Sequence, residues 1–529
     1  MKQEPEKSSE KSESVKTLRL WQMIFPGKGT LTRRIIHALI SIALRLFFRR
    51  IEAVNVERVP KTGAIIFVLN HPNGLVDPAL VFVSLIRRVS FLAKSTLYAN
   101  PVGAFLLRTF EILPVYRRID ADAKTQSNVS TFENCFELLR RGRCIAIFPE
   151  GISHDATTLQ PIKTGAARIA LGALGAGGAK TLEEEKRREG EEEKKSESSA
   201  AAGGLKAAKS EISNFKFQNK EQPTDNEQLT TDKFDLKIMA VGLYYTSKTA
   251  FRSEALIRYG EIFDVEPVEL DENGEPPREA VLALTDKIED ALRNATLNLE
   301  SESELDAVLK AEALFSSVYE NLIFKQTLTQ TFLRLQNLAE KYALLEQNEP
   351  EKMRELNERI TSYENTLKTS GVTVESLSVL QHPTAYVFRY LILRVVLLIL
   401  LAPLSIIGAI IHSPAYLFSN FLGQLVKTHD ADAAGSSSKI IAACLFMPLT
   451  WVITSSVIFY FYGWQIALAA IPVLIVCGYA ALRSSETLID MRVWIKSAWL
   501  LFRQRALFLR LMVQRKTLQK EIGEIVGEE

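Results

Sequence analysis

The stretch GAIIFVLNHPNGLVDP, residues 63–78, decides how this chain folds. Its first half is an unbroken apolar run, which predicts a buried strand over residues 64–69. The turn that follows is rich in Asn, Gly and Pro and carries His71 and Asp77. A carboxylate beside an imidazole fixes the ring tautomer and stabilises the imidazolium, so this pair could take a proton from a hydroxyl group. A histidine in a polar turn can equally be a capping or surface residue, so the interpretation depends on the rest of the chain.

Further segments follow this stretch in a fixed order. They are ILPVYRR (residues 112–118), CIAIFPEGIS (144–153), KTGAA (163–167) and IMAVGLY (238–244). Together with the first stretch they resemble the glycerolipid acyltransferases, which move a fatty acyl group from a thioester to glycerol phosphate, dihydroxyacetone phosphate or lysophosphatidate. The resemblance covers roughly residues 50–265 and is closest to the glycerol-3-phosphate/dihydroxyacetone-phosphate acyltransferases.

The resemblance implies an α/β fold, with an acyltransferase-type mixed sheet flanked by helices. A helical hairpin and a C-terminal membrane-embedded helical region are expected to follow. The chain departs from the family pattern at two positions, since Glu111 stands where the family usually has Gly and Ala240 where it usually has Pro. Neither departure touches His71 or Asp77.

The family's mechanism implies a role for each matching residue. His71 would take a proton from the acceptor hydroxyl, which attacks acyl-CoA, and Asp77 would orient the imidazole. Arg117 is the candidate for the acceptor's phosphate, since a guanidinium offers paired donors to phosphate oxygens. Glu150 and Gly151 match the acceptor-binding turn, where a carboxylate could bond to glycerol hydroxyls. The other predicted substrate-binding residues are Ser153, Lys163 and Asn73. We expect neither a metal nor a cofactor.

The predicted reaction transfers an acyl group from acyl-CoA to the sn-1 hydroxyl of glycerol 3-phosphate or dihydroxyacetone phosphate, the first step towards phosphatidic acid and glycerophospholipids. Lysophosphatidate (1-acylglycerol 3-phosphate) is the alternative acceptor. An inactive lipid-binding membrane scaffold is a further alternative, but it would be expected to have lost His71 or Asp77. A serine hydrolase would need a Gly-x-Ser-x-Gly elbow, and the sequence around Ser153 lacks the second glycine.

The charge balance and the cysteines of the chain indicate which kinds of binding partner are not favoured. The chain has 64 Lys and Arg against 62 Asp and Glu, a net charge of +2, which does not favour a nucleic-acid partner. Its four cysteines are far apart and lack metal-ligand spacing, so we expect buried free thiols. The resemblance implies that the partners are acyl-CoA, the phosphorylated acceptor and membrane lipid.

Composition also divides the chain into regions. They are a disordered basic arm (1–30), an interfacial amphipathic helix (31–50), the acyltransferase domain (51–298) with a low-complexity insertion (180–233), a helical hairpin (299–380), and membrane-embedded helices with a basic tail (381–529). The polar residues of the helix at 31–50 form one stripe, which we interpret as facing lipid headgroups. The stripe comprises Arg34, His37, Ser41, Arg45 and Arg49.

Two uncharged stretches predict membrane insertion. Residues 440–482 are long enough for two spans of about 20 residues each, turning at 462–465. Residues 395–411, interrupted by Pro403, are interpreted as re-entrant or in-plane, with three full spans as the alternative. The charge of the basic tail favours the cytosolic side for the tail, and the use of acyl-CoA favours the same side for the catalytic domain. Two parts of the chain on the same side of the membrane require an even number of crossings between them. We therefore expect an integral membrane protein with its catalytic domain in the cytosol, in the endoplasmic reticulum of a eukaryote or the inner membrane of a bacterium.

Overall fold

The computed structural model describes residues 15–17, 31–85, 87–99, 104, 107–108, 111–115, 126–154, 156–175, 235–316, 326–374, 384–426 and 432–526. Its strands are β1 (Val15–Thr17), β2 (Arg50–Val54), β3 (Ala64–Leu69), β4 (Val89–Lys94), β5 (Leu113–Val115), β6 (Cys144–Ile147), β7 (Leu236–Tyr245) and β8 (Glu254–Asp264). Its helices are α1 (Leu31–Phe47), α2 (Val76–Ser84), α3 (Gln126–Arg140), α4 (Gly165–Leu174), α5 (Arg278–Ala295), α6 (Glu302–Ser316), α7 (Leu328–Asn348), α8 (Pro350–Ser370), α9 (Thr384–Val426), α10 (Asp432–Tyr462), α11 (Trp464–Arg503) and α12 (Arg505–Val526). The predicted insertion at 180–233 lies outside the described residues.

The strands form one mixed sheet in the order β1-β2-β8-β7-β3-β6-β4-β5. The run from β7 through β3, β6 and β4 to β5 is parallel. At the other side, β8 is antiparallel to β7 and parallel to β2, and β1 is antiparallel to β2. The predicted α/β class with a mixed sheet is therefore confirmed.

Strand β3 lies in the middle of the sheet, and all six of its residues are buried. Ile65, Phe67 and Leu69 belong to the apolar cluster on one face of the sheet. Their neighbours in the strand, including Ile66 and Val68, belong to the cluster on the other face. A strand covered on both faces needs apolar residues at every position, which explains the unbroken run in the sequence.

Both departures from the family pattern lie at special backbone positions. Glu111 has a φ of +54°, a left-handed conformation that favours glycine. Its carboxylate bonds to Arg143, so the side chain gains a partner at this strained position. Ala240 lies where the register between β7 and β8 shifts, between Met239 and Val241. A bulge is one of the few places where a sheet accommodates proline, so either residue fits there.

The N-terminal arm is not disordered throughout. Val15–Thr17 pairs with β2 and extends the sheet by a short strand, so the expectation of a disordered arm is wrong for these residues. The reason is that β2 would otherwise leave its backbone N–H and C=O groups unpaired at the sheet edge. The rest of the arm before residue 31 lies outside the described residues.

Helix α1 is amphipathic, but its polarity is the reverse of the one expected. His37 and Ser41, at the centre of the polar stripe, are buried against the protein. The His37 ring lies 4.8 Å from the ring of Phe82 on α2, and the guanidinium of Arg33 lies 5.5 Å above the same ring. The interpretation that the whole stripe faces headgroups is therefore wrong, because His37 and Ser41 are buried and His37 packs against an aromatic ring of the domain. The outward surface carries large exposed apolar residues, namely Leu31, Ile35, Leu39, Ile42 and Leu46.

The helical region after the sheet includes more of the chain than the predicted hairpin. Helices α7 and α8, which lie within the predicted hairpin, are separated at Glu349, and Pro350 is the first residue of α8. Helix α12 packs into the same apolar cluster as α6, α7 and α8, through Phe508, Leu511, Leu518 and Ile522. The predicted basic tail therefore includes a packed helix, since one face of residues 505–526 is apolar at helical spacing and is buried.

Within the part of the chain that the structure describes, three helices are long and apolar enough to cross a membrane, judged by length and composition. The apolar stretches are Leu391–Gln424, Ser438–Tyr462 and Trp464–Arg492. Helix α9 continues through Pro403, so the predicted break there is wrong. Proline is tolerated inside such helices because neighbouring helices and local adjustments satisfy the freed backbone groups.

The hairpin predicted at 440–482 is formed by α10 and α11, which turn at Gly463 with a φ of +84°. Both helices are attached to the turn between β7 and β8. Lys439 donates from its Nζ to the carbonyl of Thr249 at 3.1 Å, and Arg252 forms an ion pair with Glu486. The apolar hairpin is thus joined to the sheet next to the end of β7.

Candidate active site

The parallel strands bring separate turns to one edge of the sheet. Strands β3 and β6 pair in register, with Val68 opposite Ile147, so the segments after both strands emerge side by side. The side chain of Asn70 bonds to the backbone of Leu243 in both directions, at 2.8 and 3.0 Å, and attaches the first turn to β7. Ligand sites of open α/β sheets form at this edge, beyond the carboxyl ends of the strands.

The predicted pair is formed at the start of α2. His71 Nδ1 lies 2.8 Å from Asp77 Oδ2, and the same oxygen accepts the backbone N–H of Asn73 at 2.7 Å. The Asp77 side chain is fully buried, whereas 18% of the His71 side chain is exposed. The first turn of a helix also favours a carboxylate, because the helix dipole is positive there. With Nδ1 bound to the carboxylate, Nε2 is the nitrogen left to accept a proton.

Tyr245 is a site residue that sequence reasoning missed. Its hydroxyl donates to Asp77 Oδ1, the oxygen that His71 does not use. Burial, and secondarily the charge of Asp77, raises the pKa of Tyr245 well above its usual value, so the phenol stays protonated and remains a donor. Its position as the last residue of β7, at the sheet edge where the His71 turn lies, is a signal that could have found it.

Glu150 lies directly behind His71. Its Oε1 accepts the backbone N–H of His71 at 2.8 Å, and its Oε2 accepts the backbone N–H of Gln160 at 2.9 Å. The same Oε2 bonds to Nε2 of His154. The Glu150 side chain is fully buried. It therefore contacts the main chain of the turn that carries His71 and does not face solvent.

The remaining residues of the β6 turn connect it to the β3 turn. Ser153 Oγ accepts the backbone N–H of Gly74 at 2.9 Å. Gly151 has a φ of +71°, and a Cβ added to it would lie 2.4 Å from Nζ of Lys163. Glycine is therefore required both by the backbone conformation and by the close approach of the lysine. Lys163 itself is exposed, so its ammonium is available to an anion.

Most of the predicted site gathers here, with two differences. Asn73 is fully buried and its Nδ2 donates to the carbonyl of Lys248 at 3.3 Å, so it supports the turn from within and, like Glu150, is not exposed to a substrate. Arg117, predicted to bind phosphate, lies outside the described residues. Among the described residues there is no group of three or more His, Cys, Asp and Glu that could hold a metal ion.

The surroundings of His71 suit an amphipathic substrate. The imidazole stacks on the ring of Phe148, with centroids 4.0 Å apart and planes at 19°. Next to the bonded pair of Gly74 and Ser153 lie two apolar side chains, Leu75 and Ile152, which are 49% and 45% exposed. The site thus combines an oriented base with an exposed apolar rim.

Two regions of the chain match models of known protein families. Residues 50–180 match the family model described as Acyltransferase, and residues 314–529 match the Glycerol-3-phosphate acyltransferase 2 C-terminal domain. Glycerol-3-phosphate O-acyltransferase 2 of Saccharomyces cerevisiae is 24% identical over 345 residues, which is 62% of this chain and 38% of that protein. Glycerol-3-phosphate O-acyltransferase 1 of the same yeast is 23% identical over 557 residues, covering 86% of this chain and 65% of that protein.

A shorter match falls within the other acceptor class. The chloroplastic 1-acyl-sn-glycerol-3-phosphate acyltransferase BAT2 of Brassica napus is 27% identical over 131 residues, 25% of this chain and 36% of that protein. This chain spans less than two thirds of the length of each of these relatives. The chain thus carries an acyltransferase domain followed by a C-terminal domain of the glycerol-3-phosphate acyltransferase 2 type.

Proposed function

We propose that this chain transfers a fatty acyl group from acyl-CoA to the sn-1 hydroxyl of glycerol 3-phosphate, and that dihydroxyacetone phosphate is an alternative acceptor. The observation that carries the proposal is the contact between His71 and the buried Asp77, within the matched acyltransferase region. The names of the two yeast relatives and of the C-terminal family support glycerol 3-phosphate as the acceptor.

In the proposed reaction His71 Nε2 takes the proton of the acceptor hydroxyl while the hydroxyl oxygen attacks the thioester carbonyl. Asp77 stabilises the imidazolium that forms. The carbon–sulfur bond then breaks, and the proton moves from His71 to the sulfur of the departing CoA thiolate. No acyl-enzyme forms, so the site needs no nucleophilic side chain. Lys163 and Arg117 are the basic residues proposed for the acceptor's phosphate.

The apolar surfaces support a proposal about orientation. The exposed residues of α1 and the rim residues Leu75 and Ile152 would face the membrane and admit an acyl chain. The α10–α11 hairpin would insert into the bilayer, and the catalytic domain would face the cytosol, where acyl-CoA is present. In a eukaryotic cell the membrane would be the endoplasmic reticulum, and in a bacterium the inner membrane.

Lysophosphatidate is a second candidate acceptor. The match to the Brassica napus protein covers 131 residues, and that protein is named for this acceptor class. An assay with purified protein and acyl-CoA should offer glycerol 3-phosphate, dihydroxyacetone phosphate and lysophosphatidate separately. We expect turnover with the first two. Turnover with lysophosphatidate alone would contradict the acceptor assignment and leave only the reaction class.

The catalytic roles are tested by His71→Ala and Asp77→Asn. Each should lower kcat by about two to four orders of magnitude, the usual cost of losing a general base. The membrane-bound amount and the thermal midpoint should show that the variants still fold. Near-normal turnover by His71→Ala would refute the mechanism.

The phosphate site is tested by Arg117→Ala. A small soluble acceptor derives most of its affinity from its phosphate, so the KM for glycerol 3-phosphate should rise sharply while the KM for acyl-CoA changes little. Lysophosphatidate would tolerate this change better, because its acyl chain also binds apolar surface. Equal changes in both KM values would argue against a phosphate contact.

A further inference from the structure

The pair formed by Glu150 and His154 holds the main chain of the catalytic histidine on both sides. On one side, Glu150 Oε1 accepts the N–H of His71 at 2.8 Å. On the other, the backbone N–H of His154 donates to the carbonyl of His71 at 3.2 Å. The side chain of His154 then bonds to Glu150 through its Nε2 and closes the arrangement. Both polar groups of the His71 main chain therefore bond to the turn after β6.

The carboxylate of Glu150 is buried and has no exposed oxygen that a ligand could reach. Its side chain is fully buried, and its two oxygens receive donors from His71, His154 and Gln160. A carboxylate has about four acceptor positions, so these donors occupy most of them. A substrate hydroxyl could reach this carboxylate only by displacing a protein donor and leaving that donor unpaired in the interior, which is costly.

The same turn also positions the ring of His71. Phe148, which stacks on the imidazole, immediately precedes Pro149 and Glu150 in the chain. The contact of His71 with Asp77 depends on both the ring and the main chain being in place. Effective proton abstraction requires accurate placement, and a displacement of about 1 Å can lower a rate by about a hundredfold.

We infer that Glu150 and His154 act as a positioning pair that holds His71 against Asp77, and that Glu150 is not a ligand of the acceptor. The inference rests on the proposed function, since it assigns His71 as the base. It does not depend on which acceptor is used, because both residues of the pair bond to the main chain of His71 and to each other.

The two readings predict different kinetics. If the pair positions His71, Glu150→Gln and His154→Ala should each lower kcat by about tenfold to a hundredfold, with the KM for the acceptor changed less than about twofold. His154→Gln should recover most of kcat, since its amide nitrogen can replace the Nε2 donor to Glu150. If Glu150 binds the acceptor instead, Glu150→Gln should raise the KM for glycerol 3-phosphate, and that result would overturn the inference.

A double-mutant cycle with His71→Ala distinguishes a role of His154 in positioning His71 from a general loss of folded protein. His154→Ala should lower the rate in the wild-type background but have no further effect once His71→Ala is present, because groups that act as a unit are not additive. An effect of the same size in both backgrounds would indicate a purely structural role and contradict the inference. Thr158→Ala, in the same loop, is the matched control and should leave kcat unchanged.

This experiment tests the identity of the acceptor separately from the positioning role of Glu150 and His154. The wild-type protein is first assayed with each acceptor, and the variants are then measured with the one that reacts best. If lysophosphatidate is that acceptor, the proposed function fails while the positioning test proceeds unchanged. If glycerol 3-phosphate reacts but Glu150→Gln alters only its KM, the proposed function stands and the inference fails.

Discussion

Replacing Tyr245 with phenylalanine removes one hydroxyl from the interior and leaves the rest of the side chain in place. That hydroxyl is the donor to Asp77 Oδ1, while Oδ2 receives His71 at 2.8 Å and the Asn73 N–H at 2.7 Å. Because the Asp77 side chain is fully buried, water cannot easily replace the lost donor. A hydrogen bond to a charged group contributes about 1.5–3 kcal/mol, so the free energy of unfolding should fall by about that amount.

The activity of Tyr245→Phe should fall as well. Asp77 would keep its contact with His71 but lose the donor that fixes its second oxygen, so the imidazole would be held less firmly. A loss of about 1.4 kcal/mol of transition-state stabilisation corresponds to about a tenfold lower kcat. The effect should be the same at every pH where the enzyme is active, because the raised pKa of Tyr245 keeps the phenol protonated there.

The assay is steady-state acyl transfer at saturating acyl-CoA and acceptor, together with denaturant unfolding. The matched control is Tyr244→Phe on the opposite face of β7, where the ring packs 5.3 Å from that of Phe332. This control should leave kcat unchanged. If Tyr245→Phe keeps both wild-type kcat and wild-type stability, Asp77 does not depend on the phenol and the reasoning is refuted.

Three further outcomes are expected. Gly151→Ala should lower the free energy of unfolding by about 1–2 kcal/mol, since alanine is strained at positive φ and its Cβ would displace Lys163; unchanged stability would argue against the strained turn. Glu111→Gly should be more stable than Glu111→Ala by about 1 kcal/mol, because both lose the pair with Arg143 but only glycine suits the left-handed backbone; equal stabilities would contradict this. Burial raises the pKa of Cys144 to about 11, so at pH 8 this thiol should react with maleimide only after unfolding, as peptide mapping would show.

Strand β3 and the turn that follows it could be predicted because their signals are local. In β3 every residue is apolar since both faces are covered, and the predicted bounds agree with the structure. His71 and Asp77 lie in a single turn, so their contact needs no information from elsewhere in the chain. Tyr245, in contrast, is 168 positions from Asp77, and only the pairing of β3 with β7 brings them together.

For other parts of the site, the sequence predicted which residues take part but not how their side chains are arranged. Glu150 was expected to face a substrate because carboxylates bind hydroxyls, yet the structure uses it to hold the main chain of His71. The motif gives the residue types and their order, but it does not give the direction of each side chain. That direction depends on the register between β3 and β6, which is set by packing across the whole sheet.

The sequence by itself determined that an amphipathic helix lies within residues 31–50, that residues 64–69 form a buried strand, where the apolar hairpin turns, and which histidine and aspartate meet. These properties follow from periodicity and from short-range turn chemistry. Only the tertiary structure decided that α1 turns its apolar face outward, that α9 continues through Pro403, and that α12 packs onto the helices before it. An amphipathic pattern defines two faces but not which of them meets the protein, because that choice depends on partners distant in the chain.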